Sequence, residues 1–154
     1  MKQIILLLLI ILSAIFLSCT ETPPTPPVGS NDEEAIEQMA AAQEKIDHFV
    51  EQMSKNAGEA FSIRVLIEDD GKGEHLWLKE ISYRDEEFEG HICSEPLIVS
   101  NVKNGQKVTV KKTAVSDWLF IREGKIHGYF SLPTLLKTMS PEEAERFVSK
   151  MAAP

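Results

Sequence analysis

The sequence predicts an α+β domain: a long N-terminal amphipathic helix, then five or six strands in a mostly antiparallel sheet, strongly bent or rolled into a small open barrel, then short C-terminal helices. Three patterns carry this reading. Apolar residues recur at three- and four-residue steps from Ile36 to Met53, and from Ala60 the period changes to two. Two helix-start signals then stand near the C-terminus, at Pro133 and at Ser140-Pro141-Glu142-Glu143. With 154 residues, 43% hydrophobic and 26% charged, the chain is unlike collagen, disordered or multi-span membrane sequences.

The elements are taken in chain order. Lys2 precedes an apolar run from Ile4 to Leu17, broken only by Ser13. A membrane-spanning helix needs about 20 apolar residues, whereas an export signal needs roughly 7 to 15. The run therefore predicts a cleaved leader over residues 1–18. Phe16-Leu17-Ser18-Cys19 resembles the lipobox of bacterial lipoproteins, in which a small residue precedes a Cys that becomes lipidated and N-terminal; the usual Leu is replaced by Phe16. Lipidation at Cys19 is the expectation, with an uncleaved signal anchor as the alternative. Thr20, just after the Cys, resembles an outer-membrane sorting signal, so the periplasmic side of the outer membrane is favoured over the inner.

Residues 19–30 hold the Cys and a spacer rich in proline, with Pro23, Pro24, Pro26 and Pro27. Such a segment extends by about 3.1 Å per residue and would stand the domain some 30 Å off a membrane. One globular domain is then expected over residues 31–154. Without the leader the chain keeps 15 basic against 24 acidic side chains, a net charge of −9. That charge, with no basic cluster, argues against nucleic acid as a partner. Lipidated Cys19 could not pair with Cys93, which is expected to be buried as a small hydrophobe.

Ser30 with Glu33 and Asn31 with Glu34 form overlapping capping boxes at the start of the first helix, which should run for about 26 residues to Gly58. Phe61, Ile63, Val65 and Ile67 then alternate with Ser62, Arg64 and Glu68 as a half-buried strand. A turn at Asp69–Gly73 returns it through Glu74–Tyr83. A third strand is expected over Phe88–Cys93, followed after Pro96 by the apolar run Leu97-Ile98-Val99. Asn104-Gly105 is the dipeptide best suited to a tight hairpin leading to Val108 and Val110. Val115–Arg122 and Lys125–Phe130 make a last hairpin across Glu123-Gly124.

Several short elements, in order, resemble a bacterial family of no assigned activity, the YegJ-like family or domain of unknown function 2314. They are Gly73-Glu74-His75-Leu76-Trp77, Phe88-Glu89-Gly90, Asn104-Gly105-Gln106, Val115-Ser116-Asp117-Trp118 and Gly128-Tyr129-Phe130, within about residues 60–131. Gln106 stands where the family often has an acidic residue. The resemblance implies a fold and no catalytic residues.

Three functional expectations remain. The first is a membrane-anchored envelope lipoprotein acting as a non-catalytic binding module for an envelope protein or component, with a ligand patch of Glu74, His75, Trp77, Asp117, Trp118 and Tyr129. The second is an envelope hydrolase using Glu74, His75 and Asp117 as its acid–base group, although Glu74 and His75 should point to opposite faces of a strand. The third is a zinc site built from His91 and Cys93, two apart on a strand, with His127 from elsewhere. No Gly-rich phosphate loop joins a strand to a helix, and no cofactor is expected. A polar bridge from His75 to Asp117 or to backbone is the structural alternative to the ligand patch.

Overall fold

A computed structural model of the chain describes residues 33–153. The leader, Cys19, the spacer and the capping boxes at Ser30 and Asn31 lie outside the described residues.

The described part of the first helical segment is two helices, α1 (Glu33–Glu44) and α2 (Ile46–Ser54), with Lys45 between them at φ −104°, ψ 8°. Carbonyls near the end of a helix lack partners within it. Here the Ala42 carbonyl accepts the Trp118 indole N–H at 2.9 Å. The Gln43 side-chain amide donates to the carbonyls of Lys112 at 3.1 Å and Val115 at 2.5 Å. These bonds fasten the break to the sheet, and Ile46 and Phe49 of α2 follow into the core.

Six strands follow: β1 (Glu59–Asp69), β2 (Lys72–Arg84), β3 (Glu87–Ile92), β4 (Lys107–Lys111), β5 (Val115–Arg122) and β6 (Lys125–Gly128). Their order is β4-β3-β2-β1-β5-β6 and every neighbouring pair is antiparallel. β4 and β6 are therefore the edges of an open sheet, and the barrel closure offered as an alternative is not made. Three hairpins turn on two residues with positive φ: Asp70-Gly71, Asp85-Glu86 and Glu123-Gly124. That is the turn whose twist matches the strands it joins. Asn104-Gly105 behaves differently from its expectation. Leu97–Val99 is not a strand, so the turn leads a loop into β4, with the Gly105 N–H bonded to the Ile92 carbonyl at 2.8 Å. Two short helices close the chain, α3 (Leu132–Leu136) and α4 (Pro141–Lys150). The latter carries the expected capping box between Ser140 and Glu143.

Side chains alternate across a strand, and here both faces of the sheet are covered. Ile63, Val65, Leu76, Leu78, Trp118 and Phe120 pack with Phe49 of α2 and Phe88 of β3. Burying each of those phenylalanines contributes about 1.5–3 kcal/mol. The opposite face packs Trp77, Cys93, Tyr129, Leu132 and Leu135, with Phe147 of α4 at its margin. Arg64 belongs to this second face, since its register partners are Trp77 on β2 and Asp117 on β5. The sequence pattern placed it on a polar side; the C-terminal helices turn that side into a second interior.

Candidate functional site

The second face collects the polar residues of the core. Arg64 is 6% exposed, Ser116 is 6% and Asp117 is 0%. An irregularity in β5 aligns them. Arg64 pairs with Asp117 and Val65 with Val115, so Ser116 is an extra residue in the ladder. Bulges of this kind re-aim a side chain. Ser116 Oγ lies 3.1 Å from the Arg64 carbonyl and 2.8 Å from His75 Nδ1. A carbonyl can only accept, so the Ser116 proton goes to Arg64 and Nδ1 of His75 carries the proton that Ser116 Oγ accepts.

His75 is pushed down to about 4, first by burial and then by the charge of Arg64. The folded domain therefore holds it neutral, while the unfolded chain protonates near the ordinary value of 6.5. Acid pulls the equilibrium toward unfolding across that interval. Stability is expected to fall as pH drops from about 6.5 to about 4, and a His75→Gln variant is expected to have a flatter profile there, read from urea midpoints at each pH. Equal slopes in the two proteins would show that His75 does not contribute.

Asp117 is wholly internal. Oδ1 accepts from the N–H groups of Trp118 at 2.7 Å and Phe130 at 2.9 Å, and Oδ2 accepts from Ser131 N–H at 2.9 Å and Ser131 Oγ at 2.5 Å. Burial pushes its carboxyl up, and the four donors pull the other way. Its work is to hold the β6–α3 junction against β5, where Gly128 and Tyr129 both have positive φ. Tyr129 is thereby set edge-on to Trp77, with ring centres 5.5 Å apart at 88°.

Glu74 points to the other side of β2 from His75, as expected. It accepts from three consecutive backbone amides, Leu97 at 3.0 Å, Ile98 at 2.8 Å and Val99 at 3.2 Å, which hold its pKa down despite partial burial. Asp69 adds bonds from Ser100 N–H at 2.7 Å and Ser100 Oγ at 2.8 Å. The two carboxylates pin the 97–100 loop to the β1–β2 hairpin.

The expected patch is thus divided. His75, Trp77, Asp117 and Tyr129 share the second face with Arg64 and Ser116, whereas Trp118 lies in the first core and Glu74 serves the loop. The hydrolase group is likewise scattered, each member bonded to a different neighbour. His75 meets Ser116 and not Asp117. For the zinc set, β3 and β6 stand four strand spacings apart, about 19 Å. His127 stacks on Phe120 at 4.9 Å in the first-face core, Cys93 is buried among Trp77 and Tyr129, and His91 Nδ1 sits 3.3 Å from Glu80. Those three residues do not converge.

Sequence reasoning missed Arg64 and the part played by Ser116. The strand pattern set Arg64 beside Ser62 and Glu68 as polar. Its one distinguishing sign was a cation between Ile63 and Val65, and Ser116 was marked only by its place in the Ser-Asp-Trp element.

The fold and this face define a class: a six-stranded open antiparallel sheet with helices on both faces and a polar Arg–His–Ser–Asp group on the second of them. The chain belongs to the family described as an uncharacterized protein conserved in bacteria (DUF2314), whose model it matches over residues 32–152. It is 34% identical to the uncharacterized protein YegJ of Escherichia coli (strain K12), across 98% of this chain and 99% of that one. A 70-residue stretch, 46% of this chain, is 32% identical to part of a putative ankyrin repeat protein, NMB1133/NMB1171, of Neisseria meningitidis serogroup B, and covers 28% of that protein. No solved structure matches the chain.

Proposed function

We propose that the protein is a lipid-anchored envelope protein whose domain binds a protein or component of the envelope and catalyses no reaction. The observation that carries the non-catalytic part is that each carboxylate of the candidate group is committed internally: Asp117 to four donors and Glu74 to three loop amides. A general acid or base must reach its substrate, and these two are held by backbone. The tether rests on residues 1–30, where an apolar run of signal length ends at Ser18-Cys19 and a proline-rich spacer follows. Among the described residues no helix is long and apolar enough to cross a membrane; the proposed attachment is by the lipid on Cys19. The match inside a longer putative ankyrin repeat protein fits a domain that is used as a module.

The test is metabolic labelling with a radiolabelled fatty acid, followed by membrane fractionation. The native chain is expected to take up label and sediment with envelope membranes, and Cys19→Ala to lose the label. An unlabelled native chain of full length would point to a signal anchor, and a shortened soluble one would remove the tether from the proposal.

A further inference from the structure

The residue that the fold leaves with least explanation is Arg64. Its side chain is 94% buried by the 6% exposure that remains, and its Nε has no hydrogen-bond partner among the described residues. Asp117 is its register partner across β5, yet both carboxylate oxygens are taken by the Trp118, Phe130 and Ser131 donors. A guanidinium stays charged at all ordinary pH values, and a buried one is costly unless it is paired. Its surroundings supply further polar groups on the same face. His75 lies on the same face opposite Leu66, Ser116 is bonded to the Arg64 backbone, and the Tyr129 hydroxyl is near enough for its charge to act on the guanidinium.

The position also offers an approach. Toward the β6–α3 junction the face is closed by Trp77, Tyr129, Leu132 and Leu135. Toward the β1–β2 turn it opens, with Leu66 41% exposed and His75 half-buried. Arg64 stands at that border.

We infer that Arg64 anchors a binding site for a carboxylate group, held by the guanidinium fork and the Tyr129 hydroxyl beside Trp77. The planar fork matches a carboxylate with two parallel bonds. Charge favours a monoanion over a phosphate dianion. Arg64 is the one cation of the group, neutral His75 adds none, and Asp117 behind it contributes negative charge. This deepens the binding-module reading and rests on it only in treating the site as one of binding without turnover. Acetate capture does not involve Cys19, so failure of the labelling test and failure of this one are separable.

The experiment is an NMR titration of the full chain in detergent micelles with sodium acetate, against sodium chloride at matched ionic strength. The signals followed are Arg64 Nε–H, the Trp77 indole N–H and the Tyr129 amide. Acetate is expected to shift all three saturably in the millimolar range, as suits so small a ligand, and chloride to shift them little. Arg64→Lys keeps the charge and loses the fork, and is expected to weaken acetate at least tenfold by the Trp77 and Tyr129 signals. Should that variant fail to fold, Tyr129→Phe is expected to weaken it at least threefold. Identical responses to acetate and chloride, unchanged affinity in the variants, or tighter binding of inorganic phosphate would each overturn the assignment.

Discussion

Replacing Asp117 with Asn is expected to lower the unfolding free energy by on the order of 4 kcal/mol, because one buried carboxylate ties together two segments of backbone, β5 and the β6–α3 junction. Oδ1 could persist in the Asn amide and still accept from Trp118 and Phe130. The amide nitrogen that replaces Oδ2 would face the Ser131 N–H, donor against donor, where the carboxylate accepts at 2.9 Å. A hydrogen bond to a charged group is worth about 1.5–3 kcal/mol, and an orphaned buried donor costs about 1–3 kcal/mol more. With a urea slope of about 2 kcal/mol per molar, the midpoint should fall by about 2 M with the slope unchanged. Ser131→Ala removes only the 2.5 Å hydroxyl bond and should cost about a third as much. A midpoint for Asp117→Asn within about 0.5 M of the native one would show that the junction is held by packing alone.

The Asp117 network also shows which parts of this molecule could be read in advance. Strand positions and hairpin ends followed from period-two alternation and from Asp-Gly and Glu-Gly turns, because both are local properties of the backbone. The opposition of Glu74 and His75 followed from the same alternation. Asp117, by contrast, bonds to Phe130 and Ser131, thirteen and fourteen residues away, through a turn whose shape depends on Gly128 and Tyr129 together. No local pattern announces such a partner. Arg64 was misplaced for a related reason. A strand sequence tells which residues share a face but not what covers that face, and here α3 and α4 arrive from the far end of the chain to bury it. The Ser116 bulge is a one-residue shift within a strand that otherwise reads as regular, and it sets a hydroxyl against His75, whose bridge was expected to reach Asp117 or backbone. The connection between β2 and β3 read as a charged loop over Arg84–Glu87, and its tight two-residue form went unread for want of the glycine that usually marks it: two acidic residues take φ of 52° and 63° there.

Gly128→Ala is the second large effect expected, and it tests the same junction from the backbone side. Gly128 has φ +82°, and a Cβ built on it would lie 2.4 Å from the Trp118 carbonyl oxygen and 2.5 Å from the indole ring. Neither neighbour is free to yield. The Trp118 carbonyl accepts the Tyr129 N–H at 2.8 Å, and the indole is held to the Ala42 carbonyl at 2.9 Å on the other side of the sheet. Overpacking of this kind costs about 1–3 kcal/mol, and the left-handed backbone adds about 1–2 kcal/mol for a residue with a Cβ. Gly71 provides the internal standard. Its φ is +77°, and nothing lies within 4 Å of a Cβ placed there. Gly71→Ala should therefore carry the backbone cost alone, about 1 kcal/mol, against about 4 kcal/mol for Gly128→Ala. Because Asp117 and Gly128 act on one junction, the two damages should not add. Once Asp117→Asn has loosened the turn, Gly128→Ala has less left to break, and the double variant should be more stable than the sum of the single losses by about 1 kcal/mol or more. Strict additivity in urea unfolding would mean that the carboxylate and the glycine support separate parts of the fold, and the account of the junction given above would fail with it.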